Sequence, residues 1–164
     1  MLKRSKAIVV AVLVLGVLSG CAQQRTVSLG AFPEAEYKAL AKEGTGVVKG
    51  QIFLKTVGGD VKYGAGVEVS LIPVTSYSAP AWQAYQAGAK LTTPDPRVRE
   101  YSILTQSDGT GNFEFRDVPP GRYYVGGEVI WQIPTQLGLS RQGGWVMNQV
   151  TAKNGFESKV IVTK

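Results

Sequence analysis

Asp108-Gly109-Thr110-Gly111-Asn112-Phe113-Glu114-Phe115-Arg116-Asp117-Val118-Pro119-Pro120-Gly121-Arg122-Tyr123-Tyr124-Val125 reads as turn, strand, turn and strand in succession. Asp108, Gly109 and Gly111 supply residues that tolerate positive φ, as a tight reversal requires. Phe113 and Phe115 then share one face while Glu114 and Arg116 share the other, the period-two pattern of a half-buried strand. Pro119 and Pro120 remove two backbone donors and Gly121 permits the turn, so the strand must stop and reverse. Tyr123-Tyr124-Val125 opens the next one. Two consecutive reversals between alternating strands predict an antiparallel β architecture.

Working outward, the same period recurs. Val48, Ile52 and Leu54 alternate with Lys49, Gln51 and Lys55, ahead of a Gly58-Gly59-Asp60 turn. Val67, Val69 and Leu71 face inward on the next strand until Pro73 ends it. Further strands are expected at 101–105, 125–131, 145–150 and 156–162, with Gly126-Gly127 a bulge or close backbone approach. The stretch 133–144, rich in Gly with Pro134, reads as a mobile loop. The count is about seven strands, that of an all-β, antiparallel, Ig-like or prealbumin-like β-sandwich.

Four ordered blocks carry a family resemblance: Gly46-Val47-Val48-Lys49-Gly50, Ala65-Gly66-Val67-Glu68-Val69, residues 108–115, and Pro119-Pro120-Gly121-Arg122-Tyr123. In that order they resemble the carboxypeptidase regulatory-like domains, transthyretin-like sandwiches of bacterial surface proteins. The resemblance covers residues 46–164. It implies a sandwich fold and a non-catalytic binding or scaffolding habit, and names no ligand.

With 164 residues and a hydrophobic share of 44%, the chain has room for one domain with a real core. Lys and Arg number 18 against 12 Asp and Glu, but three of the cations, Lys3, Arg4 and Lys6, sit in the first six residues. The rest are scattered singly, without the basic face that nucleic-acid binding needs, so no nucleic-acid partner is expected. Histidine is absent, which removes the usual general base and the commonest metal ligand. No enzyme activity, cofactor or metal is expected.

The first twenty residues read as a lipoprotein signal peptide. The apolar run 7–18 is too short to span a bilayer, and it ends in Leu18-Ser19-Gly20-Cys21. That ending resembles a bacterial lipobox, which implies a diacylated Cys21 as the mature N-terminus and attachment to a membrane through lipid. Ala22 after the cysteine implies sorting to the outer membrane in a Gram-negative host, with the domain facing the periplasm or the cell surface. Residues 21–45 are then the lipidated cysteine, a polar tether over 23–32, and a short helix over 33–43 started by Pro33 and stopped by Gly44.

Residues 75–99 are an insertion relative to the minimal regulatory-like pattern. Ser78 caps a helix, Pro80 occupies its first turn and Gly88 closes it, followed by a Pro-rich loop. Trp82 and Tyr85 fall on one helical face, and with Tyr77 they are the candidate ligand-binding residues. They are either a lid packed on the strands or an exposed aromatic platform. Two functions follow: a lipid-anchored envelope scaffold contacting a protein partner, or a carbohydrate- or peptidoglycan-binding module stacking Trp82, Tyr85, Trp131 and Trp145 on sugar rings. Asp108, Thr110 and Asn112 offer alternating oxygens, but a turn role accounts for them better than calcium, since only one is charged.

Overall fold

The structure, a computed structural model, describes residues 25–164. Within them the chain order is β1 (Thr26–Val27), α1 (Glu34–Lys38), β2 (Gly46–Lys55), β3 (Val61–Tyr63), β4 (Glu68–Pro73), α2 (Ala79–Gln86), β5 (Lys90–Leu91), α3 (Arg97–Glu100), β6 (Ile103–Gln106), β7 (Asn112–Val118), β8 (Gly121–Thr135), β9 (Gly138–Ala152) and β10 (Glu157–Val162). The seven strands expected from alternation are all present. Three short ones, β1, β3 and β5, were beyond the reach of a period that needs four or more residues to show.

Two four-stranded sheets form the body. In the first, β2 lies between β10 on one edge and β7 and β3 on the other; in the second the order is β6-β4-β8-β9. Their inward residues meet in one buried cluster: Val48, Ile52, Phe113, Phe115, Val118, Val160 and Val162 from the first, Val69, Leu71, Tyr123, Val125, Val129, Val146 and Ala152 from the second. Tyr123 reaches the cluster with its ring and donates its hydroxyl to the Pro119 carbonyl at 2.9 Å, which closes the β7–β8 reversal from inside.

Several sequence expectations need correction. The sheets are not wholly antiparallel: β10 runs parallel to β2, with Val160 opposite Gly50 and Val162 opposite Ile52. After the Lys153–Gly155 turn the chain crosses from the second sheet to the first, and strand direction follows that crossing rather than any local pattern. The 133–144 stretch is not a loop. It is the distal half of a β8–β9 hairpin paired from Gly121↔Ala152 to Thr135↔Gly138. Its glycines serve the hairpin: Gly143 has φ +96°, and a Cβ there would meet the Val129 carbonyl oxygen at 2.1 Å.

The helix expected over 33–43 is limited to the five residues of α1, and the Pro-rich loop contains α3. The stretch read as a tether holds β1, whose Thr26 and Val27 pair in parallel with Lys90 and Leu91. Cys21 and the Leu18-Ser19-Gly20 lipobox lie outside the described residues. Among the described residues, no helix is long and apolar enough to cross a membrane.

Phe115 is 2% exposed and packs edge-on against Phe113, with ring centroids 5.7 Å apart. Phe115→Ala is expected to cost about 3–5 kcal/mol, read as a lower midpoint of urea denaturation with an unchanged m-value.

Candidate functional site

Alternation decides which side chains of the second sheet look outward. Tyr123, Val125 and Val129 of β8 are in the core, so Tyr124, Gly126 and Glu128 lie on the outer face, with Met147 and Trp145 of β9 beside them by register. The insertion covers one end of this face. Its α2 places Trp82 over Tyr124, with centroids 5.4 Å apart and an interplanar angle of 20°. Tyr85 follows at 5.8 Å from Trp82, the spacing expected three residues along a helix.

The start of α2 is tied down by small polar groups. Ser78 donates its hydroxyl to the Pro73 carbonyl at 2.7 Å, and its own backbone N–H donates to Thr75 Oγ1 at 3.1 Å. Ser78 therefore anchors the helix start to the end of β4 and caps no backbone N–H of the helix.

A second support comes from the N-terminal segment. Phe32 stacks on Tyr37 at 4.4 Å and meets Tyr77 edge-on at 5.6 Å, and Tyr101 lies 5.1 Å from Tyr37. Burial pushes the Tyr37 hydroxyl pKa up. Tyr77 is 5% exposed, and its hydroxyl accepts the Asp95 backbone N–H at 2.9 Å. Glu36 accepts the Ser76 backbone N–H at 2.8 Å and the Ser76 hydroxyl as well.

Asp95 holds Arg97 through Nε at 2.9 Å, Nη2 at 2.8 Å and the backbone N–H at 3.0 Å. The guanidinium in turn sits 4.3 Å over the Phe32 ring, a cation–π contact. At the end of α3, Arg99 grips Glu68 on the outer face of β4 with two bonds of 2.7 Å.

Of the sequence-predicted residues, the structure brings Trp82 and Tyr85 together on α2 and puts Tyr77 beneath them in the packed support. Both α2 rings are half-buried. The Tyr85 hydroxyl is sealed from solvent without a protein partner, so any outside contact falls to its ring.

Trp145 completes the layer from the other side. It is 43% exposed, and its indole lies over Gly126, where a Cβ would come within 3.1 Å of Cζ2 and Nε1. Gly126 is the next outward residue after Tyr124 along β8. Trp82 and Trp145 thus flank Tyr124, which lies covered at 3% exposure, in an aromatic band whose open rings are the two tryptophans and which ends at the Glu128–Arg141 ion pair of 2.7 Å. The sequence reading missed Tyr124, because a Tyr-Tyr pair does not say which ring faces out.

The 108–112 turn behaves as a turn. Asp108 accepts from the Thr110 backbone N–H, the Thr110 hydroxyl, the Asn112 backbone N–H and the Asn112 amide, at 2.8–2.9 Å. These bonds, Asn112 first, lower its pKa to about 2. Among the described residues, no group of three His, Cys, Asp or Glu could hold a metal ion.

Comparison with solved structures gives a likeness over most of the chain. A crystal structure described as a "putative carbohydrate binding protein" from Pseudomonas aeruginosa superposes with a TM-score of 0.68 at 31% identity, covering 81% of this chain and 97% of that one. The chain belongs to the same family as that protein. No family model and no curated protein matches it. The relative is a binding protein by description rather than an enzyme.

The Asp95 clasp has a defined acid limit. Hydrogen bonding to Arg97 lowers the Asp95 pKa from 3.8 to about 2, so its contribution to stability is complete above pH 3.8 and is lost as pH falls through about 2. NMR of the Asp95 carboxyl is expected to titrate near pH 2 in the wild type, and nearer 3.8 in Arg97→Ala.

Proposed function

We propose that this chain is a non-catalytic carbohydrate-binding module of the carboxypeptidase regulatory-like, β-sandwich type, held at a membrane by lipid on Cys21. The observation that carries the reading is the kinship, across most of the chain, with a relative described as a "putative carbohydrate binding protein", joined to the aromatic band on the second sheet. Aromatic rings suit sugars because a pyranose ring presents C–H groups that pack on a π face, while two stiff torsions keep the ordering cost low. In this reading Trp145 and the exposed parts of Trp82 and Tyr85 contact the glycan, and Tyr77 positions them by holding the insertion. Glu128 and Arg141 stand at the end of the band to meet hydroxyl groups.

The proposed anchor, Cys21, precedes Arg25 by four residues of sequence. The Arg25 carbonyl already accepts the Lys90 N–H at 2.9 Å. At 3.3–3.6 Å per extended residue, the four steps from Cys21 to Arg25 reach no more than about 14 Å. A lipidated Cys21 therefore holds the insertion near the membrane surface, where an envelope glycan is the ligand within reach. Protein scaffolding, the other function open to such a module, has no comparable support from the relative.

Glycan-array and calorimetric titration of the protein with peptidoglycan fragments and neutral oligosaccharides test the reading. Trp145→Ala is expected to weaken the bound glycan about tenfold, the value of one stacked ring, with the protein still folded at a modestly lower melting temperature because the indole no longer covers Gly126. Trp82→Ala should weaken it too while lowering stability through the lost Tyr124 stack. Absence of binding to any glycan by the wild type would overturn the proposal. Separately, Cys21→Ser is expected to move the protein from the membrane fraction to the soluble fraction and abolish palmitate labelling.

A further inference from the structure

The first sheet also has an outer face, and its chemistry differs from that of the second. Val48 and Ile52 of β2 are fully buried, so Lys49, Gln51 and Phe53 look outward. Register carries that face across the neighbouring strands. Lys49 lies between Lys159 and Glu114, and Gln51 between Ile161 and Asn112.

Beyond Gln51 the neighbour of β2 changes from β7 to β3 on the same edge, since Ile52 donates its N–H to the Gly111 carbonyl and accepts the Gly64 N–H. Phe53 is there paired with Tyr63, with centroids 6.4 Å apart at 72°. Tyr63 is 48% exposed. Three successive rows on one face are therefore aromatic, amide and charged.

The amide and charged rows line a groove of about 890 Å³, bounded by Lys49, Gln51, Asp108, Asn112, Glu114 and Lys159. The groove is broad and open rather than enclosing, so a ligand lies along it and does not enter it. Its charges cancel, two lysines against two carboxylates, and they are engaged with one another and with their surroundings. Lys49 is 2.8 Å from Glu157 and 3.9 Å from Glu114, and Arg116 is 2.7 Å from Glu114. Asp108 and both amide hydrogens of Asn112 are spent within the turn, and Gln51 gives one amide hydrogen to the Thr110 carbonyl at 2.9 Å, which leaves the Asn112 Oδ1, the Gln51 Oε1 and the second Gln51 amide hydrogen facing the groove. Such a surface offers fixed donors and acceptors without a net field, which suits a ligand of hydroxyls rather than one of carboxylates or sulfates.

We propose that this face is a second carbohydrate-contact surface, taking a neutral, hydroxyl-rich oligosaccharide with a sugar ring on Tyr63 and Phe53 and hydroxyls in the Gln51–Asn112 groove. The proposal rests on the carbohydrate reading above, but on different residues and on the opposite outer face.

The test is calorimetric titration of the full chain, in a detergent without sugar groups, with maltohexaose, cellohexaose and chitohexaose. Variants are Tyr63→Ala, the ring-preserving Tyr63→Phe, and Trp145→Ala, with melting temperatures as the folding control. The expected result is two sites per chain. Tyr63→Ala removes one, at least about tenfold in affinity, Tyr63→Phe retains it, and Trp145→Ala removes the other. Between 50 and 500 mM salt, affinity at the Tyr63 site should change less than about twofold.

A single site lost in Tyr63→Ala but kept in Trp145→Ala would uphold this inference and overturn the aromatic band of the second sheet. A single site lost only in Trp145→Ala would overturn this inference and leave the proposed function standing. Steep loss of the Tyr63 site with salt would overturn the neutral-ligand assignment. No binding at all would overturn both readings.

Discussion

The constraint on which the structure depends is the two-residue period of β2, a strand with partners on both edges. Once Val48 and Ile52 are committed to the interior, Lys49, Gln51 and Phe53 have nowhere to go but the opposite face. The same choice repeats on β8, where Tyr123, Val125 and Val129 take the interior and Tyr124, Gly126 and Glu128 are left outside. A one-residue slip on either strand would exchange core and surface together. The outer faces that carry the candidate contacts are therefore consequences of how the interior is filled.

The two faces diverge because only one acquires a cover. Between β4 and β6 the chain returns over the second sheet, and its apolar side chains find Tyr124 there. That cover stays in place through the N-terminal segment. Phe32 and Tyr37 pack against Tyr77 and Tyr101, the Arg97 guanidinium sits over the Phe32 ring, and β1 pairs with β5. These contacts join pieces far apart in the sequence, so each alone would be marginal: a five-residue helix and two-residue strands do not persist in water without packing. The rings of α2 are held by this clasp at a fixed height above the sheet, a preorganisation that lowers the entropy lost when a ligand stacks on them.

Carbohydrate contact through flat outer faces is weak per site, because hydroxyl groups exchange one set of hydrogen bonds for another and only the stacked rings displace water from apolar surface. If both faces engage one polymer as proposed, effective concentration raises apparent affinity without a new contact. The proposed lipid on Cys21 would act in the same way by confining the module to a surface. Together, the proposed contacts and anchor would suit an extended polymer better than a small metabolite.

The strands at 46–55, 68–73, 103–106, 112–118 and 157–162 and the reversals at 58–60 and 119–121 were legible in the sequence, because alternation, Gly and Pro act within a few residues. So was the helix carrying Trp82 and Tyr85. The sequence alone also pointed to the absence of histidine chemistry and to a lipobox ending in Cys21. What it did not contain was direction and depth. That β10 lies parallel to β2, that the Gly-rich 133–144 stretch continues the hairpin, and that Tyr77 lies beneath the insertion while Trp145 stands open all depend on which surfaces meet. The depth of Tyr124 under Trp82 and the exposure of Tyr63 were invisible for the same reason. Local pattern selects the element and its two faces, but only long-range packing decides which face is covered, by what, and which ring is left to the solvent.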